Sequence, residues 1–325
     1  MIVADNLSKT FRVAVKDPGV MGTLRHFVRR RYRSVEAVKA VSFGIERGEI
    51  VGFLGPNGAG KTTTLKMLTG LLHPSVGRVE VAGHVPFRRE ASFLKRITLV
   101  MGQKQQLIWD LPAADSLRIN AAVYEIPDDV CRRRIAELSA MLGTDGVLNQ
   151  PVRKLSLGER MKVELLAALL HQPEVLFLDE PTLGLDVNAQ ASVREFLRDY
   201  NQRYGATVLL TSHYMADITA LCPRVILIHE GKLIFDGSLA AIRTRFAPYR
   251  EVRIELTNPV DCADLQSYGD VVSCDGHQAR ILVQREHLTE TVTRLLGEQR
   301  IADLTVTDPP VDEVIGRIFR EGNAT

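Results

Sequence analysis

Gly55, Pro56, Asn57, Gly58, Ala59, Gly60, Lys61, Thr62 and Thr63, read in a row, decide how this chain folds. The stretch matches G-x-x-x-x-G-K-[ST], the pattern of a phosphate-binding loop. Ile50 to Leu54, just before it, is an apolar run of strand length that leaves the turn-like Arg47-Gly48-Glu49. Lys61 to Thr69, just after it, has Leu65 and Leu68 on one side and Gly70 as a stop signal, which predicts a helix. Between a strand and a helix start, Gly55, Gly58 and Gly60 let the backbone turn its N–H groups inward toward anionic oxygens. The unpaired N–H groups and positive dipole end of the helix reinforce that field. Lys61 supplies a full charge for the β- and γ-phosphates, and the Thr62 hydroxyl is the expected Mg²⁺ ligand.

Val175 to Leu178 is continuously apolar, as a buried parallel strand is, and runs into the adjacent carboxylates Asp179 and Glu180. Ligands of parallel sheets gather at the carboxyl ends of strands. Asp179 is therefore expected to hold Mg²⁺, and Glu180 to polarise an attacking water as general base. Val208 to Ser212 repeats the pattern and ends at His213. Upstream of the carboxylates, Leu155-Ser156-Leu157-Gly158-Glu159-Arg160 leads into a helix expected from Glu159 to about Leu170, with Met161, Leu165, Ala168 and Leu169 at helical spacing.

The three segments, in this order and at these distances, resemble the ATP-binding subunit of an ABC transporter. The resemblance covers residues 1–240 and implies an α/β fold, a P-loop ABC ATPase domain with a helical subdomain, that uses ATP and Mg²⁺. It implies that His213 contacts the γ-phosphate and that Asp186, in Leu183-Gly-Leu-Asp186, links two sites across a dimer. Gln103 matches the glutamine that reaches Mg²⁺ and reports to the membrane partner, with Gln105 and Gln106 as nearby competitors. The aromatic residue that stacks on adenine is expected five positions before Ala37, at Tyr32; Phe11 is the alternative.

Such ATPases complete each site with the signature segment of a second subunit, usually Leu-Ser-Gly-Gly-Gln. Here Leu157 replaces the first glycine and Glu159 the glutamine, while Ser156 and Gly158 are kept. One set of motifs per chain implies a homodimer, or a dimer with a homologous ATPase, in closed two-fold symmetry.

Length favours two domains, since the chain has 325 residues. After Gly237 the nucleotide motifs stop. Strands are expected at Arg250–Leu256, Ala279–Val283 and around Asp303 to Val306, with helices at Leu288–Leu296 and Pro310–Phe319. This small C-terminal α+β domain, residues 248–325, resembles the extension of drug-exporter ATPases of the ABC-2 class, the daunorubicin/viologen group. Residues from about 88 to 154 look mainly helical, and in this family such a subdomain touches the membrane subunit. Within it lies Trp109, the only tryptophan, either core filler or a partner contact.

No apolar stretch reaches the ~18 residues of a membrane span, so the expected pore belongs to ABC-2-type transmembrane subunits on separate chains, with this chain peripheral on the cytoplasmic face of the cell membrane. Cys131, Cys222, Cys262 and Cys274 lack metal-ligand spacing and read as reduced thiols. Residues 1–34 carry eight basic and two acidic side chains, whereas the remainder carries 33 basic and 37 acidic ones. That balance argues against nucleic acid as a partner. The excess lies in a basic insertion, residues 12–33, where Met21 to Arg33 reads as a short helix. Its Arg25, Arg29, Arg30 and Arg31 are candidates for contact with anionic lipid. A soluble ABC-type ATPase or an ATP-dependent regulator is the alternative function. A GTPase is disfavoured by the lack of an Asn-Lys-x-Asp segment.

Overall fold

The computed structural model describes residues 1–15, 31–101 and 106–321. Gln103, Arg25, Arg29 and Arg30, and with them most of the expected basic helix, lie outside the described residues. Two compact units divide the chain, Met1–Asp236 and Gly237–Thr325.

The first unit opens with a long antiparallel ribbon, β1 (Ile2–Val15) and β2 (Arg31–Ile45). Arg12 to Val15 and Arg31 to Arg33, expected within an insertion and in part helical, are therefore strand. The cross-strand pairs Val13 with Arg33 and Ala14 with Tyr32 extend the ladder beyond the reach of β4. β3 (Ile50–Leu54) is buried at every position and leads to α1 (Lys61–Leu68). β4 (Val76–Val81) joins the ribbon to form a three-stranded sheet in the order β2-β1-β4. After the one-turn α2 (Ala91–Leu94) comes β5 (Ile97–Met101), a strand where helix was expected. The helical region proper is α3 (Ala113–Val123), α4 (Asp128–Leu142) and α5 (Leu157–Leu169).

The chain then alternates β6 (Val175–Asp179), α6 (Val187–Tyr204), β7 (Thr207–Thr211), α7 (Met215–Leu221), β8 (Arg224–His229) and β9 (Lys232–Ser238). Strands β5 to β9 and β3 form a six-stranded sheet in the order β5-β6-β7-β3-β8-β9. Parallel pairing of β5, β6, β7, β3 and β8 brings their carboxyl ends to one edge. The register fixes that edge: Met101 lies beside Asp179, and Asp179 beside Thr211. The apolar runs that made these strands legible are also what bury them. Phe53, Phe177, Leu209 and Ile226 share one core with Ile2 and Leu7 of the ribbon and Leu65 and Leu68 of α1.

The second unit begins within β9 and continues with α8 (Leu239–Phe246) and β10 (Tyr249–Leu256). β11 (Asp270–Cys274), β12 (Gln278–Gln284), α9 (Leu288–Glu298), β13 (Ile301–Thr307) and α10 (Val311–Glu321) complete it. Its sheet is antiparallel, in the order β11-β12-β10-β13. Val252, Ile254 and Leu256 of β10 alternate into a core with Ile281, Val283 and Leu295. Cys262 and Cys274 are joined by a disulfide, so the expectation of four free thiols fails for these two; Cys131 and Cys222 are free and buried.

Candidate functional site

The phosphate-binding loop turns between β3 and α1. At Gly60 φ is 106°, and a Cβ there would stand 2.5 Å from the Ala37 carbonyl oxygen, so glycine alone fits. Gly55 is closed in as tightly, since a Cβ would meet the Ile228 oxygen at 2.3 Å. Pro56 and Asn57 lead to Gly58, and Ala59 is buried. Ala59 accepts the Gly231 N–H through its carbonyl, which ties the loop to the β8–β9 turn.

Lys61 is 8% exposed and curls back over the loop, its Nζ donating to Gly55 O at 2.6 Å and to Pro56 O at 3.2 Å. Burial pulls the Lys61 ammonium below its ordinary range, and the neighbouring charges of Glu180 and Asp179 partly counter this. Thr62 Oγ1 donates to Asp179 Oδ2 at 3.1 Å, and Thr211 Oγ1 donates to Asp179 Oδ1 at 2.7 Å. The Thr62 hydroxyl and the Asp179 carboxylate are thus side by side at the strand edge. Two hard oxygen donors, a hydroxyl and a carboxylate, fit Mg²⁺, which keeps several waters instead of taking an all-protein cage.

Glu180 leaves the strand with φ 56°, in the left-handed region that a side chain seldom occupies. Its N–H donates to Thr211 O and to Thr211 Oγ1, both at 3.1 Å, which fixes that turn. Glu180 Oε1 lies 2.8 Å from His213 Nε2. A carboxylate and an imidazole in contact beside a phosphate cradle are placed to orient and deprotonate a water. Thr63 follows Thr62 on the first turn of α1.

The sequence reading missed Asp217, which is 1% exposed on α7. It accepts from Thr182 Oγ1 at 2.5 Å, Ser212 Oγ at 2.7 Å and Arg194 at 2.8 Å. One carboxylate therefore joins the residues just after Glu180 to the residue just before His213. A short acidic residue in Met215-Ala-Asp217 gives no local cue to those partners, because each comes from a different element.

The signature residues sit against other neighbours. Ser156 is the N-cap of α5, and with Glu159 it forms a capping box. Ser156 N–H and Oγ–H donate to Glu159 Oε2 at 2.9 and 2.8 Å, while Glu159 N–H donates to Ser156 Oγ at 3.3 Å. Those bonds hold the Glu159 carboxyl below the usual carboxylate range. A Cβ on Gly158 would lie 3.1 Å from Ala189 Cβ, and Leu157 packs beside Gly184. Asp186 caps α6 through Ala189 N–H at 2.9 Å. Ser156 and Asp186 are thus exposed on either side of the half-buried Gly158, and among the described residues no side-chain hydrogen bond joins them to the Lys61–Glu180 cradle.

A strand–turn–helix phosphate loop facing paired carboxylates at the carboxyl edge of a parallel sheet defines a P-loop nucleotide hydrolase. Residues 38–183 match the ABC transporter family, and residues 248–307 match the C-terminal domain of EvrA-like ABC transporters. The ABC transporter ATP-binding protein NatA of Bacillus subtilis is 38% identical over 64% of this chain and 84% of its own length. The bacitracin transport ATP-binding protein BcrA of Bacillus licheniformis is 31% identical over 86% of this chain and 90% of its own. A solved ATP-binding subunit of an ABC transporter superposes with a TM-score of 0.62 at 25% identity, covering 75% of this chain and 92% of that one. The chain belongs to the ABC transporter ATP-binding family, and it is an ATPase subunit of that kind.

Proposed function

We propose that this chain drives an ABC-2-type exporter, binding and hydrolysing ATP in a two-fold dimer beside transmembrane subunits carried on separate chains. The observation that carries this reading is the split of its motifs. Lys61, Thr62, Asp179, Glu180 and His213 converge at one edge, whereas the exposed Ser156 and Asp186 each cap their own helix and Gly158 packs against Ala189. A second subunit's Ser156 and α5 N-terminus then supply the missing wall of each site, as one closed arrangement requires.

Within each site Lys61 and the N–H groups of Gly58, Gly60, Lys61, Thr62 and Thr63 hold the phosphates. Thr62 and Asp179 take Mg²⁺, joined by Gln103 from the segment outside the described residues. Glu180 is the general base, and His213 holds the water and the γ-phosphate. Adenine stacks on Phe11, not on Tyr32. The register explains why: the extra residue at Ala37 lets Lys9 pair with Val38 and Thr10 with Glu36, so Phe11 and Val35 share the face of Val38. Val38 Cγ2 lies over Gly60, and Leu7 of that same face is in the core. Tyr32 pairs with Ala14 on the opposite face and is 56% exposed.

No helix among the described residues is long and apolar enough to cross a membrane, which fits a peripheral subunit. A cavity of ≈ 430 Å³ between α1 and the helical region, lined by Thr69, Leu71, Arg89, Leu94 and Tyr124, is the proposed seat of the membrane subunit. A relative named for Nod factor export supports outward transport, and one named for bacitracin transport supports a transport role. Glu180→Gln tests the reading. It should bind MgATP normally, lose about 100-fold or more in turnover, and accumulate as an ATP-bound dimer on size exclusion. Wild-type turnover would place the base elsewhere.

A further inference from the structure

Glu164 is a charged residue in the wrong place for a surface helix. It lies on α5, two turns beyond Ser156, and is 6% exposed among Val163, Leu165 and Leu166. Its carboxylate is spent on backbone outside its own helix. Gln106 N–H donates to Oε2 at 2.8 Å, and Leu107 N–H to Oε1 at 3.4 Å. Burial pushes the Glu164 carboxyl up, and these two N–H bonds draw it back down.

The residues it holds open the segment that runs from the glutamine loop into the helical region. Further contacts pin the same segment along its length. Ile108 N–H donates to Ser116 Oγ at 3.1 Å, and the Arg160 guanidinium of α5 lies 5.4 Å from the centre of the Trp109 ring. Arg153 N–H donates to Trp109 O at 3.0 Å, Arg153 pairs with Asp110 at 2.8 Å, and Val152 N–H donates to Leu111 O at 3.0 Å. Two of these clamps, Glu164 and Arg160, come from the helix whose N-cap is Ser156. The others come from α3 and from the residues that lead into α5.

We propose that Glu164 is a positioning residue that makes Gln106–Leu111 and α5 one rigid piece, so that a displacement at the glutamine loop moves Ser156 relative to the partner's nucleotide. An apolar side chain in its place would leave the Leu107 N–H buried without this acceptor and release the Gln106 N–H at the surface, and the segment would part from the helix. A glutamine would still offer one acceptor oxygen. The inference rests on the proposed role of Ser156 in the partner's site. A Ser156→Ala control separates the two: wild-type turnover in that variant would defeat the dimer reading and leave the mechanical link standing or falling on fluorescence alone.

Trp109 gives that measurement, because it is the sole tryptophan and sits inside the clamped segment. In the full-length protein, Glu164→Leu should raise the acrylamide quenching constant of Trp109 by about twofold and lower kcat for MgATP by about tenfold. Affinity for a fluorescent ATP analogue should stay within about twofold of wild type, since the cradle is untouched. Glu164→Gln should recover most of kcat and the wild-type quenching. Wild-type quenching in Glu164→Leu overturns the proposal. So does a parallel loss of nucleotide binding and kcat, which would mark a general folding role, or a Glu164→Gln variant as impaired as Glu164→Leu.

Discussion

The two halves of the nucleotide machinery are built on opposite plans. In the cradle the functional groups are wired to one another around a buried pair: Lys61 is 8% and Asp179 9% exposed, and Thr62, Thr211, Glu180 and the exposed His213 are joined through short polar contacts. In the proposed signature, Ser156 and Leu157 are exposed, and among the described residues the serine's polar side-chain partner is its own capping residue, Glu159. The polar groups of the cradle satisfy one another across several elements, whereas those of the proposed signature are satisfied within a single helix start. Substitutions should follow that division, with large losses of nucleotide binding or stability on the buried side and small, salt-sensitive shifts on the exposed side.

The largest effect is expected at Lys61. Lys61→Ala removes the one mobile cation aimed at the phosphates, and no other cation contacts the Gly55 and Pro56 carbonyls among the described residues. MgATP affinity measured by calorimetry should fall by about 100-fold or more, because a charge-assisted contact in a partly dry site is lost. Unaltered affinity would show that the loop's N–H groups suffice and would break the contrast at its strongest point.

How far each half could be read from sequence has a physical cause. The P-loop and Asp179-Glu180 are legible because their chemistry is local: the turn, the strand end and the helix start are contiguous, and the apolar runs beside them declare their burial. Asp217 and Glu164 are illegible for the opposite reason. Each is an ordinary acidic residue on a helix, and its meaning comes mostly from partners 23 to 58 positions away, some of them backbone N–H groups; of those named, only Ser212 is near in sequence. Phe11 and Tyr32 fall on opposite faces of the ribbon, and the single extra residue Ala37 puts Val35 and Val38 on the face of Phe11. A count of positions along the chain carries no information about such a bulge. In the second unit the core strands were visible through alternation, but β11, an edge strand of five residues, carried too little pattern, and two cysteines 12 positions apart did not announce a bond.

A smaller but still substantial effect should follow Asp217→Ala. The carboxylate is fully buried and its removal leaves the Arg194 guanidinium, 17% exposed, without its partner, along with the Thr182 and Ser212 hydroxyls. Stranding a buried charge typically costs about 3–5 kcal/mol, so the melting transition of the first unit should shift down markedly while that of the second stays in place. Asp217→Asn keeps an acceptor and should lie between. If Asp217→Ala melted like wild type, the cradle would not depend on its buried wiring.

The smallest effect is expected where this chain departs from the usual signature, at Glu159. Its carboxylate is held below the usual range by Ser156, so it is ionised at neutral pH beside the face proposed to meet the partner's γ-phosphate. Glu159→Gln retains an acceptor for the Ser156 N–H and keeps the capping box, but removes the negative charge. A single charge at an exposed site is worth at most about 1 kcal/mol and is screened by salt. The MgATP-driven dimer, followed by sedimentation in the Glu180→Gln background, should therefore tighten by about two- to threefold at low salt, and the gain should vanish near 0.5 M salt. Glu159→Ala distinguishes charge from capping: it also removes the charge but frees the Ser156 hydroxyl and loses about 1 kcal/mol of helix capping, so its dimer should be no tighter than the parent's. A tenfold or greater, salt-insensitive gain in Glu159→Gln would mean that the signature is as enclosed as the cradle, and the contrast between the two halves would be wrong.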